Sequence, residues 1–145
     1  MIVTKGKSYC FEDLELGHVA SMERVVAQTD VTSFAAISGD HNPIHLDEAY
    51  AAKTRFGGCI THGMLTASYI SAVFAMELPG PGAVYISQTL NFVGPVRVGD
   101  TVRTQVTVVE LFPAKRRVRF ACECSVAGKN VLTGEAMLMV QARPV

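Results

Sequence analysis

One stretch restricts the fold more than any other. From Gly63 to Leu78 the chain reads GMLTASYISAVFAMEL, and its only formal charge is Glu77. Met64, Leu65, Ala67, Tyr69, Ile70, Ala72, Val73, Phe74, Ala75 and Met76 spread apolar side chains over every face of a helix. A helix apolar all round is expected to be buried all round. Its span of about 16 residues, roughly 24 Å, is too short to cross a bilayer, so protein has to surround it. Pro79-Gly80-Pro81-Gly82 ends it, since proline cannot continue a helix. The same glycines follow a helix and lack the lysine and hydroxyl of a phosphate-binding loop, so they read as a helix stop.

The surrounding protein is expected to be sheet. AVYISQTLNFV is rich in β-branched and aromatic residues. TVRTQVTVVELF, RRVRFACECSVA and VLTGEAMLMVQA follow, separated by turns at Pro113-Ala114-Lys115 and Gly128-Lys129-Asn130. Short turns between strands imply an antiparallel meander. Upstream, Gly17 to Gln28 reads as a strand. VTSFAAIS reads as a short helix, capped by Thr29 or Asp30 and ended by Gly39. Leu46-Asp47 opens a second short helix, DEAYAAKT, and Phe56-Gly57-Gly58 is a flexible break. The fold class is therefore α+β, an antiparallel β-sheet wrapped around one long central apolar helix. With no repeat or linker, residues 1–145 read as a single domain.

Hydrophobic residues make up 49% of the chain, high for one small domain, which points to apolar surface covered by a partner subunit. The 13 basic and 13 acidic residues balance, so neither nucleic acid nor an anionic membrane is indicated as a partner. MIVTKGKSYCFEDLELG carries no apolar signal core, and QARPV matches no lipidation or retrieval signal. Cys10, Cys59, Cys122 and Cys124 then read as free thiols of a cytoplasmic protein. Cys122 and Cys124 alternate on one strand face and behave as small buried hydrophobes rather than metal ligands. Arg116, Arg117 and Arg119 form either a solvated strand face or a contact for nucleotide phosphates.

The chemistry concentrates between Ser38 and Met64, SGDHNPIHLDEAYAAKTRFGGCITHGM. Asp40 and His45 flank an Asn42-Pro43 turn, which cannot be regular helix because Pro43 disfavours helical geometry at Asn42. His62-Gly63 follows at the mouth of the apolar helix. An acid, an imidazole and a helix N-terminus are the parts needed to move a proton beside a carbonyl. A zinc site on Asp40, His41 and His45 is the rival, but Pro43 interrupts the helical spacing such a site needs and no third ligand follows at motif spacing. His62 reads as a structural cap, and His41 as solvent-facing.

Ser38-Gly39-Asp40, Asn42-Pro43-Ile44-His45-Leu46-Asp47, His62-Gly63-Met64, Leu78-Pro79-Gly80, Tyr85, Gln88 and Phe92-x-x-Pro95-Val96-x-x-Gly99-Asp100 resemble the hot-dog dehydratases and hydratases of the MaoC-like group, most closely the (R)-specific enoyl-CoA hydratases. The resemblance runs from about Thr32 to Val102. It implies a hot-dog fold dimerised into a continuous double sheet, with an acyl tunnel at the interface. It further implies an acyl-CoA substrate, a homodimer, and no metal or redox cofactor. Asp40 and His45 would be the catalytic pair sharing one water, the Gly63 N–H would meet the thioester oxygen, and Asn42, His62 and Ser71 would support them, Ser71 by a hydrogen bond to Asp40.

These residues suit that chemistry. Hydrating an enoyl thioester needs a base for water, an acid for C2 and a stabiliser for the thioester oxygen. Addition from one side gives an R alcohol. A 3-hydroxyacyl-[acyl-carrier-protein] dehydratase would use the same parts. A hot-dog thioesterase and a non-catalytic acyl-thioester-binding subunit are the other classes the fold admits. Chain length, pathway, and which of Asp40 and His45 serves C2 stay open at this stage.

Overall fold

The computed structural model describes residues 8–145; the reading of the N-terminus as leaderless falls in part on residues 1–7, outside them. In chain order the elements are β1 (Val19–Val25), α1 (Gln28–Ser38), one-turn helices α2 (Pro43–Leu46) and α3 (Glu48–Ala51), α4 (Gly63–Met76), β2 (Val84–Gln88), β3 (Asn91–Phe92), β4 (Thr101–Phe112), β5 (Arg117–Val126) and β6 (Lys129–Met139). All strand pairings are antiparallel, in the order β1-β4-β5-β6-β2, and β3 pairs with β6 as well. The expected wrap of sheet around helix forms: α4 packs against β4, β1 and β5. No described helix is long and apolar enough to cross a membrane.

Alternation builds the core. Val102, Thr104, Val106 and Val108 of β4, Val118, Phe120, Cys122 and Cys124 of β5, and Leu132, Ala136 and Leu138 of β6 are all buried. Against them α4 presents Leu65, Thr66, Ile70, Val73 and Phe74. Cys122 and Cys124 sit in this layer as small hydrophobes, and burial pushes the Cys122 thiol up to about 12. On the opposite face Arg119 is paired with Glu110 at 3.0 Å and Glu135 at 3.6 Å.

Several expectations change. Within one chain α4 is not buried all round: Met64, Ser68, Ser71, Ala75 and Met76 are exposed. AVYISQTLNFV holds two strands, with Thr89 and Leu90 between them. Only β4, β5 and β6 form a meander, because β2 returns to the far side of β6 and β1 to β4. The β5–β6 turn is Ala127-Gly128, both at positive φ, and Lys129 already belongs to β6. The N-cap of α1 is Ala27, not Thr29 or Asp30. Asp30 acts from the third helical position, its carboxylate accepting the Ala27 N–H at 2.9 Å; that bond, ahead of Arg24, holds the Asp30 carboxyl below its usual range. Finally, the second short helix is only α3, capped by Asp47.

Gly134 shares the inward parity of Leu132 and Ala136, but a Cβ there would lie 1.9 Å from the Thr89 carbonyl oxygen. Gly134→Ala must therefore displace the β2–β3 connection, because the obstacle is backbone. The expected cost is about 1–3 kcal/mol, read as a lowered denaturant midpoint at unchanged slope; an unchanged midpoint would refute the close packing.

Candidate active site

The site begins where α1 ends. Gly39 takes left-handed geometry at φ 80° and donates its N–H to Ala35, closing the helix. The Ser38 hydroxyl accepts the Asp40 N–H at 3.1 Å, and Asp40 Oδ1 accepts the Asn42 N–H at 3.1 Å. These two bonds hold Asp40 in a short turn, with no hydrogen bond to its second oxygen among the described residues. His41 turns outward, its Nδ1 lying 3.2 Å from the Gly39 carbonyl.

Pro43 bars helix at Asn42 and at the same time starts one. Asn42 is the N-cap of α2, its side chain accepting the Ile44 N–H at 3.1 Å, and Pro43 sits at a first-turn position where no N–H is needed. The single turn delivers His45 to the interior. Its Nδ1 lies 2.8 Å from the Ile60 carbonyl. A carbonyl only accepts, so Nδ1 carries the hydrogen, and in the neutral ring Nε2 keeps its lone pair. That Nε2 faces Asp40 Oδ2 at 4.0 Å, too far for a direct hydrogen bond and close enough for one water to touch both. The side chain of His45 is 11% exposed and that of Asp40 48%, so the acid faces the open side of the pair.

His62 lies beneath them. It is 1% exposed, its ring stacks on His45 at 3.9 Å, and Phe34 closes the other side at 4.8 Å. Its Nε2 bonds the Asp40 carbonyl at 3.0 Å, while Nδ1 is buried with no hydrogen-bond partner among the described residues. The bond to a carbonyl makes Nε2 the donor. His62 thus ties the Asp40 backbone to the N-terminus of α4, where it is also the N-cap residue. The three groups approach within 4.8 Å of one another. The His45 and His62 ring planes are tilted by 31° to each other.

Gly63 is the first residue of α4, where N–H groups have no intrahelical acceptor. A Cβ on it would lie 2.6 Å from the Phe92 ring, so only glycine leaves both the N–H accessible and the ring in place. Asp40, His45, Gly63 and Phe92 line one cavity of about 560 Å³ with largely apolar walls, including Met64 and Val131. Sequence reasoning missed Arg55 in its wall, whose guanidinium lies over the Phe56 ring at 4.7 Å. It also missed the Ile60 carbonyl, since a backbone acceptor leaves no mark in side-chain chemistry. Ser71 lies on the exposed stripe of α4, two helical turns from its N-terminal end, and among the described residues of one chain no hydrogen bond joins it to Asp40.

Residues 15–134 match the family model described as MaoC like domain. The 3-hydroxybutyryl-CoA dehydratase of Methylorubrum extorquens is 56% identical over 130 residues, covering 90% of this chain and 83% of that protein. The (R)-specific enoyl-CoA hydratase of Rhodospirillum rubrum is 50% identical over 133 residues, 92% of each. Among solved structures, the unliganded R-hydratase PhaJ1 of Pseudomonas aeruginosa superposes with a TM-score of 0.90 at 44% identity, covering 97% of this chain and 90% of that one.

The contact between Gly63 and Phe92 has a measurable consequence. Gly63→Ala should destabilise the fold by about 1–3 kcal/mol, and adding Phe92→Ala should relieve part of that cost. A double-mutant cycle in urea is expected to return a coupling of about 0.5 kcal/mol or more. Additive effects would mean the ring does not close over this glycine.

Proposed function

The chain belongs to the MaoC-like domain family, and on that premise we propose that it hydrates 2-enoyl-CoA thioesters to (R)-3-hydroxyacyl-CoA, reversibly, as a hydro-lyase. The observation that carries the residue assignment is the pair of free atoms facing each other across 4.0 Å, Asp40 Oδ2 and His45 Nε2, on the wall of an apolar cavity. A water between them would give one proton to the pair as its oxygen bonds to C3, and the pair would pass that proton on to C2, so that the elements of one water are added and the pair is regenerated. Positioned acid–base groups of this kind contribute about 10²–10⁴-fold each. Both lie on one side of the cavity, so addition is syn; the R configuration of the alcohol rests on the likeness to the (R)-specific hydratases.

The Gly63 N–H is the donor for the thioester oxygen as negative charge develops there. Adding water changes no oxidation state of a cofactor, and the reading includes no metal. Asn42 shapes the turn between the two catalytic side chains and His62 supports both. The apolar side chains left exposed on α4 (Met64, Met76) and on the β2–β3 edge (Val84, Ile86, Phe92, Val93) support a homo-oligomer, at least a dimer, that covers them. The four free thiols support a cytoplasmic setting.

Asp40→Asn keeps the shape of the side chain and removes its charge and basicity. It is expected to lower the rate of enoyl-thioester absorbance loss with crotonyl-CoA by about 10²–10⁴-fold, with the R alcohol as the wild-type product. Near-normal activity would remove Asp40 from the mechanism. Release of free thiol instead of alcohol would mean thioester hydrolysis. A monomer in light scattering would overturn the oligomeric reading.

A further inference from the structure

We propose that Arg97 and Glu48 are positioning residues for His45, acting together as a clamp on the loop that presents the Ile60 carbonyl. The proposal rests on the reading of His45 as an acid–base group, because its Nε2 can accept a proton from water only while Nδ1 holds the hydrogen. What keeps it there is the Ile60 carbonyl at 2.8 Å, and residues 52–62, which carry that carbonyl, form no helix or strand.

The loop is held by charge rather than by sheet. Arg97 donates from Nη1 to the Cys59 carbonyl at 3.3 Å and from Nη2 to the Phe56 carbonyl. Both oxygens of Glu48 lie within reach of the Cys59 N–H, at 3.3 and 3.4 Å. The two polar backbone groups of Cys59, immediately before Ile60, are thus gripped by opposite charges. Among the described residues neither Arg97 nor Glu48 has an ion-pair partner within 4.0 Å, so their bonding is given to this backbone. A planar guanidinium presents several donors in a rigid fork and can hold two carbonyls at once, which an ammonium cannot match in geometry. Gly58 shows how tight the grip is: a Cβ there would lie 2.8 Å from Glu48 Oε1 and 3.3 Å from Arg97 Nη1.

Arg97 is itself fixed. Its N–H donates to Asp100 Oδ2 at 2.8 Å and its carbonyl accepts the Asp100 N–H at 3.0 Å, across a turn in which Gly99 takes φ 94°. Downstream of the clamp, the Thr61 N–H bonds the Val96 carbonyl at 2.7 Å, and the Ile60 N–H bonds the Ile44 carbonyl at 3.2 Å. The segment 96–100 therefore holds the loop on both sides of Ile60, and α2 receives it one residue before His45.

The test uses the full-length protein with ¹⁵N-labelled histidine and no substrate. In the wild type the His45 side chain should show one neutral tautomer, with hydrogen on Nδ1. In Arg97→Met the signal should move toward a mixture of tautomers, and Arg97→Lys should restore it in part. With crotonyl-CoA, Arg97→Met should lose roughly 10–100-fold in kcat, the scale of a misplacement near 1 Å, with KM changed less than threefold. Glu48→Gln, milder in its effect on folding, should shift both readouts the same way by less. A wild-type tautomer signal in folded Arg97→Met or in Glu48→Gln overturns the clamp, whatever the activity. A shifted signal in the variants with no hydration by the wild type would uphold the clamp and reject the enoyl-thioester reading.

Discussion

The burial of α4 against the inner face of the sheet is the constraint on which the rest hangs. Ile70 and Val73 have no exposed surface, and Val102, Val106, Val118 and Phe120 of the sheet are as fully covered. Each such side chain stabilises the fold by about 1.5–3 kcal/mol, and neither layer could present its apolar face to water alone. The packing is anchored along the middle and C-terminal part of the helix. That leaves the N-terminal end at the margin of the sheet, with Gly63 and Met64 at positions that lack intrahelical acceptors. Residues 39–62 supply the polar groups around that end. They are irregular because their work is to place side chains rather than to pack. A few long-range bonds hold them: Thr61 to Val96, His45 to Ile60, and His62 to Asp40.

The position of the site was legible before the structure because its signals are local. Glycine after a helix, Asn-Pro ahead of a one-turn helix, and His-Gly opening an apolar helix each specify backbone geometry within a few residues. Geometry at that scale sufficed to bring Asp40, His45, His62 and Gly63 together. The wrap of sheet around helix was legible for a similar reason, since an uncharged helix too short for a membrane needs a protein cover. What escaped was decided by distant residues. The break at Thr89 and Leu90 depends on Gly134, some 45 positions on, where the Thr89 carbonyl occupies the space of a side chain. Arg97 stands at an unspecified position of the Pro95–Asp100 turn, and its acceptors are backbone carbonyls 38 and 41 residues back. The exposure of Met64, Ser68, Ser71 and Ala75 could not be read from hydropathy, since an apolar stripe looks the same whether its own chain or a second copy covers it.

His62 shows how a residue without an evident chemical task can still set the geometry of the site. Its Nε2–H is committed to the Asp40 carbonyl, 22 positions earlier, and its ring packs between Phe34 at 4.8 Å and His45 at 3.9 Å. One contact fixes the backbone that carries the carboxylate, and the other covers a face of the imidazole. As the N-cap residue of α4, His62 also ties both to the end of the helix that carries the Gly63 N–H. Asp40 Oδ2 and His45 Nε2 face each other across 4.0 Å because both are referred to this one buried ring. Under the proposed mechanism that separation is what one shared water needs, so the packing of His62 determines whether the pair can share it.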